Sequence, residues 1–142
     1  MFWWLGKSMA SSLLMGKKLN YKNKPSYEVS IFMGSIDNDS KLEIAEDDLC
    51  HEISVMQEIE KSKYSVAGWV PVRMSQMTLL CGTSYKEKGW EISAINYPRT
   101  ATGKNKIESF MKTLAKHLLK KFNQHRITLV LPKNTIMYEN ES

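Results

Sequence analysis

The sequence predicts an α+β fold in which an antiparallel sheet of about five strands carries two helices on one face. Short segments rich in β-branched and aromatic residues alternate with two segments whose apolar residues recur at helical spacing. Turn residues separate these segments. The predicted order is β-α-β-β-β-α-β, a variation on the split βαβ plan. A chain of 142 residues with 42% hydrophobic and 25% charged residues is typical of one packed domain.

The first strand is predicted over residues 27–33, because YEVSIFM is β-branched and aromatic. In the turn segment that follows, Asp37 and Asp39 are spaced as in a calcium loop, but Leu42 stands where that loop requires glycine. We therefore expect no calcium site. The first helix is predicted over residues 45–61, where apolar residues recur at helical intervals and carboxylates occupy the first turn.

Three further strands are predicted over residues 65–74, 77–85 and 90–97, joined as antiparallel hairpins. Gly89, in the segment KEKG, is predicted to supply the positive φ of the last hairpin turn. The two cysteines lack C-x-x-C spacing, so neither a metal cluster nor a redox motif is indicated. Cys81 is expected to be a buried core thiol.

The second helix has the clearest pattern in the sequence. Its apolar residues form one stripe over residues 105–122, and Asn105 with Glu108 has the spacing of a capping box. The last strand is predicted over residues 126–131 and ends at Pro132.

Three parts are predicted along the chain. Residues 1–24 form a basic arm that contains tryptophan, residues 25–132 form a single α+β domain, and residues 133–142 form a C-terminal tail, either loose or an added edge strand. The body of the protein, including any site, is thus expected in the middle part.

The arm offers two interpretations. Trp3 and Trp4 pack on the body or on a neighbouring subunit, which would give a homo-oligomer, or residues 1–18 make a weak contact with a membrane surface. Lys7 interrupts the apolar stretch, so we expect no signal peptide. No apolar run is long enough for an ordinary transmembrane helix, and a cytoplasmic location is predicted.

Charge is distributed unevenly along the sequence, and the net charge is +5. Residues 1–24 contain no acid, residues 35–60 are acidic with Lys41 as their one base, and residues 104–126 are basic with Glu108 as their one acid. The folded protein should present an acidic side and a basic side, unless these segments pair with each other.

The segment YPRTATGKNK ends in TGK and resembles part of a phosphate-binding loop. A Walker A loop requires glycine where Pro98 stands and a hydroxyl residue where Asn105 stands, so nucleotide hydrolysis at this loop is not expected. A weaker anion site remains at the start of the helix, where backbone N–H groups and nearby cations could hold a phosphate.

The leading functional hypothesis is a non-enzymatic protein that binds nucleic acid or a nucleotide through a basic helix face. Its candidate residues are Arg99, Lys104, Lys106, Lys112, Lys116, Lys120 and Arg126.

The alternative is a protein inhibitor or an immunity or counter-defence module, of phage or plasmid type, that binds a basic protein through its acidic helix. Its candidate residues are Asp47, Asp48, Glu52, Glu58 and Glu60.

An enzyme is the less favoured class. His51, His117 and His125 have no metal-ligand spacing, and no nucleophile motif is found, so no catalytic residue, cofactor or metal is predicted.

Overall fold

The computed structural model describes residues 18–64, 70–97 and 102–141. These residues form two helices and a five-stranded antiparallel sheet, which confirms the α+β fold. In chain order the elements are β1 (Glu28–Gly34), α1 (Glu46–Tyr64), β2 (Arg73–Cys81), β3 (Tyr85–Ile95), α2 (Lys104–Lys121), β4 (Arg126–Val130) and β5 (Thr135–Glu139).

The sheet has the strand order β2-β3-β1-β4-β5, and each neighbouring pair is antiparallel. The register places Ile31 of β1 opposite Ile92 of β3 and opposite Leu129 of β4. Because side chains alternate along a strand, these three residues lie side by side on one face. The first strand is therefore central in the sheet.

Both helices cover this face of the sheet. Helix α2 buries its apolar stripe, including Phe110 and Leu114, in the core, and α1 adds Leu49 and Ile53. A fully buried side chain of this kind contributes about 1.5–3 kcal/mol relative to an exposed one. The packing of amphipathic helices on an alternating sheet thus forms one continuous core.

The division of the middle of the chain into strands was predicted wrongly. Two strands stand where three were expected, and the turn between them is formed by residues 82–84, with Gly82 at φ 73°. Gly89 lies inside β3, where an added Cβ would come within 2.3 Å of the carbonyl oxygen of Met33. The glycine is required by a close approach of two strands and not by a turn. Residues 65–69 of the first of these predicted strands lie outside the described residues.

The C-terminal segment contributes the strand β5, which pairs with β4 along its length. The turn before it is closed by a hydrogen bond from the Leu131 backbone N–H to the Asn134 carbonyl at 2.8 Å. The element order is accordingly β-α-β-β-α-β-β, and not the predicted β-α-β-β-β-α-β.

Two local predictions are also wrong. Helix α2 begins at Lys104 with Gly103 as its N-cap and no side-chain cap, so Asn105 lies inside the first turn. Glu108 accepts hydrogen bonds from the Tyr27 hydroxyl at 2.9 Å and the Lys112 ammonium at 3.0 Å. Cys81 is exposed at the end of β2 and not buried. Neither helix of the described residues combines the length and the hydropathy that a bilayer span requires.

Candidate ligand-binding cavity

A cavity with a volume of about 520 Å³ lies between two parts of the chain. One is the connection from β1 to α1, residues 35–44, here called the β1–α1 loop. The other is the hairpin of β2 and β3. The β1–β3 pairing ends at Gly34 and Gly89, while β2 and β3 stay paired as far as Cys81 and Tyr85. The hairpin therefore projects beyond the central strand, and the loop folds against its base.

Backbone hydrogen bonds hold the β1–α1 loop against the hairpin. The Ser35 N–H donates to the Lys88 carbonyl at 3.2 Å, and the Ser35 carbonyl accepts from the Ile44 N–H at 2.8 Å. Ile36 and Glu43 form an antiparallel bridge within the loop. Ser35 thus lies in the middle one of three adjacent backbone segments, with Lys88 on one side and residues 43–44 on the other.

Asp37 stabilises the turn of the same loop. Its Oδ1 accepts hydrogen bonds from the backbone N–H of Asp39 at 2.9 Å, from that of Ser40 at 3.2 Å and from the side chain of Asn123 at 3.1 Å. The bond from Asn123 is the largest cause that lowers the pKa of Asp37, and the two backbone N–H bonds act in the same direction. The aspartate that resembles a calcium ligand in the sequence is a turn-forming residue in the fold.

Gln124 fixes the beginning of the loop to the body of the protein. Its Oε1 accepts the Gly34 N–H at 3.1 Å, and its Nε2 donates to the carbonyls of Ile36 at 2.8 Å and Phe122 at 3.0 Å. The side chain is buried, and these three hydrogen bonds are all to backbone groups. One buried amide therefore contributes to the position of the cavity wall.

The lining of the cavity combines apolar, polar and charged groups. Ile44 and Trp90 contribute apolar wall, and the polar and charged residues of the lining are Ser35, Glu43, Gln76, Thr78 and Lys88. Met77 also lies in the lining, but its side chain alternates with those of Gln76 and Thr78 and is on the other face of β2. A cavity of this size with a few convergent polar groups on an apolar wall is the usual form of a small-molecule site. No lining residue is a histidine, a cysteine or a tyrosine.

The end of the hairpin beyond the cavity exposes apolar side chains. Leu79, Leu80 and Tyr85 are 52%, 66% and 48% exposed. Patches of this kind are typical of contact surfaces between proteins. The homo-oligomer suggested by the sequence stays a prediction, which light scattering of the purified protein would test.

The predicted basic residues lie along α2 and at the start of β4, except that Arg99 lies outside the described residues. Contacts of Lys112, Lys116 and Arg126 within the fold are as follows. Lys112 pairs with Glu108 at 3.0 Å, Lys116 lies 5.4 Å from the ring centre of Tyr138, and Arg126 pairs with Glu139 at 3.4 Å.

The remaining described members of this basic set are Lys104 and Lys106 in the first turn of α2 and Lys120 in its last turn. Lys104 and Lys120 are exposed, and Lys106 is half-buried. The structure thus brings part of the predicted set onto one helix, but nothing in it tests binding of a phosphate.

The predicted acidic residues lie on α1, where Asp47, Asp48 and Glu58 are exposed and Glu60 is half-buried. Glu52 differs from them, because it bridges the two helices. Its carboxylate lies 2.8 Å from Nε2 of His117 and 3.9 Å from the ammonium of Lys121, both on α2.

Metal-ligating side chains do not cluster in the described part of the chain, where no group of three or more His, Cys, Asp or Glu residues could hold an ion. The arm of residues 1–18 that was expected to touch a membrane or another subunit lies almost wholly outside that part, which begins at residue 18.

The cavity residues were missed by the sequence analysis. Glu43 was counted only as a member of the acidic segment, Lys88 was part of the predicted hairpin turn KEKG, and Ser35 was assigned to a turn. A signal was available in the segment GSIDNDSKLEI, since a turn flanked by Ser35 and Ile44 predicts a small loop that folds back on itself. Its contact with the hairpin depends on a strand register that the sequence does not reveal.

No family model matches the sequence, and no curated protein matches it. Among solved structures, the chain is similar to a phage SAM lyase in complex with S-methyl-5'-thioadenosine, with 13% identity and a TM-score of 0.56. It is similar to the phage SAM lyase in its apo state with 13% identity and a TM-score of 0.59. In both comparisons the match covers 88% of this chain and 98% of the other.

This likeness shows a shared fold over almost the whole length of the lyase. At 13% identity it does not show a shared activity, because one fold can host unrelated sites. The phage source of both neighbours is compatible with the phage-type counter-defence module that the sequence analysis gave as its alternative.

Proposed function

We propose that this protein binds S-adenosylmethionine (SAM) in the cavity between the β1–α1 loop and the β2–β3 hairpin, and that it cleaves SAM to S-methyl-5'-thioadenosine. The observation that carries the proposal is the cavity itself. Its volume of about 520 Å³ lies within the roughly 300–1,000 Å³ range of small-molecule sites. Its lining offers apolar wall for a base and a thioether, and polar groups for the edges of a nucleoside.

The likeness to the SAM lyase supports the choice of ligand and does not replace the argument from the cavity. One neighbour is in complex with S-methyl-5'-thioadenosine, which is the adenosine and thioether part of SAM. The polar side chains of Ser35, Gln76 and Thr78 supply both donors and acceptors, as recognition of adenine and ribose requires.

The proposed cleavage is a balanced, intramolecular step. The bond between the sulfonium sulfur and the methionine γ-carbon breaks, and its electron pair stays on sulfur, which becomes a neutral thioether. The carboxylate oxygen of the same substrate bonds to the γ-carbon and closes a lactone. Such a step needs neither water nor an oxidant, so the protein has to hold the carboxylate near the γ-carbon in a productive geometry.

Cleavage of SAM would also explain how this protein could act as a counter-defence module. A protein that removes a small molecule acts on every enzyme that depends on it and needs no protein partner of its own. The hypothesis that the acidic residues of α1 bind a basic protein, and the hypothesis that the lysines of α2 bind phosphate, stay predictions beside it. Contacts of Lys112, Lys116 and Arg126 within the fold favour the cavity over the basic helix face.

The test uses the purified full-length protein and two substitutions on the same strand. Thr78→Trp places a large side chain in the cavity, whereas Ser75→Trp places the same side chain on the opposite face of β2, opposite Glu91. The wild-type protein and the Ser75 variant should bind S-methyl-5'-thioadenosine in calorimetry and release it from SAM in a mass-spectrometric assay. The Thr78 variant should do neither.

Two results would overturn the proposal. The first is a folded wild-type protein that binds neither compound and releases no product. The second is a Thr78 variant with unchanged binding, which would place the ligand elsewhere. Circular dichroism of both variants establishes that they are folded.

A further inference from the structure

Four residues of the cavity lining form one row across adjacent backbone segments. Lys88 pairs with Thr78 within the β2–β3 hairpin. On its other side the Lys88 carbonyl accepts the Ser35 N–H, and the Ser35 carbonyl accepts the Ile44 N–H. Side chains of residues that stand opposite each other in antiparallel segments lie on the same face. The order across the row is therefore Ile44, Ser35, Lys88 and Thr78.

The row lies on the face of the sheet that the helices cover. Trp90 is two residues after Lys88 in β3 and is buried in the core. Because side chains alternate along a strand, Lys88 lies on the same face as Trp90. Ile44, at the other end of the row, is also buried in this core. The lysine and the two hydroxyl side chains of the row therefore line the cavity from one wall.

The polar members of the row have no described partner. Among the residues that the structure describes, the side chains of Ser35, Thr78 and Lys88 form no ion pair and no side-chain hydrogen bond. Glu43 also belongs to the lining, but it forms the backbone bridge with Ile36 and its side chain lies on the opposite face from the row. The row thus presents one ammonium, flanked by two hydroxyls, and contains no carboxylate.

We infer that Lys88 binds the α-carboxylate of SAM, an inference that rests on the proposed function of the cavity. The ammonium donates a charge-assisted hydrogen bond to one carboxylate oxygen. The second oxygen stays available to attack the γ-carbon. Lys88 therefore holds the nucleophile of the proposed cleavage in place, while the flanking hydroxyls and the apolar wall remain for the nucleoside.

The inference predicts which adenosine compounds the cavity prefers. S-adenosylhomocysteine carries the same α-carboxylate as SAM, but its sulfur is a neutral thioether and not the sulfonium that the proposed cleavage requires. Its decarboxylated form keeps the amine and lacks the carboxylate. Neither compound is cleaved, so calorimetry measures their affinities directly. A hydrogen bond to a charged group is worth roughly tenfold or more in affinity, so S-adenosylhomocysteine should bind more tightly by that factor.

The experiment compares these two compounds and S-methyl-5'-thioadenosine on the full-length protein and three variants. Lys88→Met should weaken binding of S-adenosylhomocysteine roughly tenfold and leave S-methyl-5'-thioadenosine unchanged. Lys88→Arg keeps the charge and should keep most of the preference for the carboxylate. The matched control is Lys133→Met, which removes the same charge from an exposed position that does not line the cavity.

A kinetic assay tests the same contact during the reaction. Initial rates of release of S-methyl-5'-thioadenosine from SAM, followed by mass spectrometry, give kcat/KM for each variant. Lys88→Met should lower kcat/KM roughly tenfold or more, because the carboxylate is then bound without its cationic partner. Lys133→Met should leave kcat/KM unchanged.

The outcomes separate the two proposals. If the wild-type protein binds none of the three compounds and releases no product, the proposed function fails and this inference fails with it. If the wild-type protein binds S-methyl-5'-thioadenosine but does not prefer S-adenosylhomocysteine to its decarboxylated form, only the role of Lys88 is wrong. The role is also wrong if Lys88→Met weakens all three compounds equally or none of them. A Lys133 variant with the same loss would show that net charge alone explains the effect.

Discussion

Replacement of Gln124 by alanine should destabilise the protein strongly, because this polar side chain is buried. The side chain is 4% exposed and forms hydrogen bonds to Gly34, Ile36 and Phe122. The substitution leaves these backbone groups without their partner. At about 1 kcal/mol for each net hydrogen bond, the free energy of unfolding should fall by about 3 kcal/mol. For a domain of this size that loss lowers Tm by roughly 10 °C.

Urea denaturation followed by circular dichroism measures this loss. A graded control is Gln57→Ala, which removes a single hydrogen bond from Nε2 to the Val70 carbonyl at 2.8 Å on a half-buried residue. It should cost about 1 kcal/mol. If the Gln124 variant loses no more stability than the Gln57 variant, the buried amide does not anchor the β1–α1 loop and the reasoning is refuted. Because that loop forms one wall of the cavity, the Gln124 variant should also bind its ligand more weakly at temperatures where it remains folded.

Three further predictions concern single residues. Gly89→Ala should lower Tm strongly because its Cβ would come within 2.3 Å of a neighbouring backbone oxygen. Gly103→Ala has open space around its Cβ and should lower Tm only by the loss of an N-cap glycine, about 1 kcal/mol or less, in the same melting experiment. The folded pKa of Asp37 is lowered, so its contribution to stability is present above the ordinary value of 3.8 and is lost as pH falls through the folded pKa. In the Asp37→Asn variant, the free energy of unfolding, measured by urea titration, should therefore fall less as the pH is lowered. Burial, followed by the bond to Glu108, raises the pKa of Tyr27 to about 12, so its contribution is complete below the ordinary value of 10 and is lost as pH rises through 12. Glu108→Gln should lower that pKa, as read from tyrosinate absorbance.

The parts of the fold that the sequence predicted are those with strong local periodicity. The stripe of α2, from Ile107 to Leu118, is apolar at every buried position, and α1 has Leu49 and Ile53 at the same spacing. The central strand β1 is apolar at each core position. In these segments local pattern and tertiary burial agree, so a single sequence is enough to assign them.

The strands of the hairpin were predicted wrongly because contacts with other parts of the chain, and not a local sequence pattern, determine where these strands begin and end. The segment YKEKGWEISAI is one strand, but its first half projects beyond the sheet and needs no alternation of apolar residues. Gly89 resembles a turn residue in the sequence, because glycine is favoured both at positive φ and where two backbones approach closely. Only the pairing of Gly89 with Gly34 shows that the close approach is the reason here. The cavity was not predicted for the same reason, since the backbone of Lys88 contacts that of Ser35 only in that register.

Some of the unevenly distributed charges pair with each other within the fold. This pairing weakens both hypotheses that assign a function to a charged face of a helix. Glu52 of the acidic helix α1 lies against His117 and Lys121 of the basic helix α2, so the acidic and basic segments are neighbours and their fields partly cancel. A nucleic acid that bound Lys116 and Lys120 would meet this reduced field, and its affinity would fall steeply with salt. Binding of one SAM molecule in the cavity releases few counterions and should change far less with salt. Binding of a DNA oligonucleotide and of S-methyl-5'-thioadenosine, each measured at two salt concentrations on the wild-type protein and on a variant with Lys116→Glu and Lys120→Glu, therefore decides between a surface that binds phosphates and a cavity that binds a nucleoside.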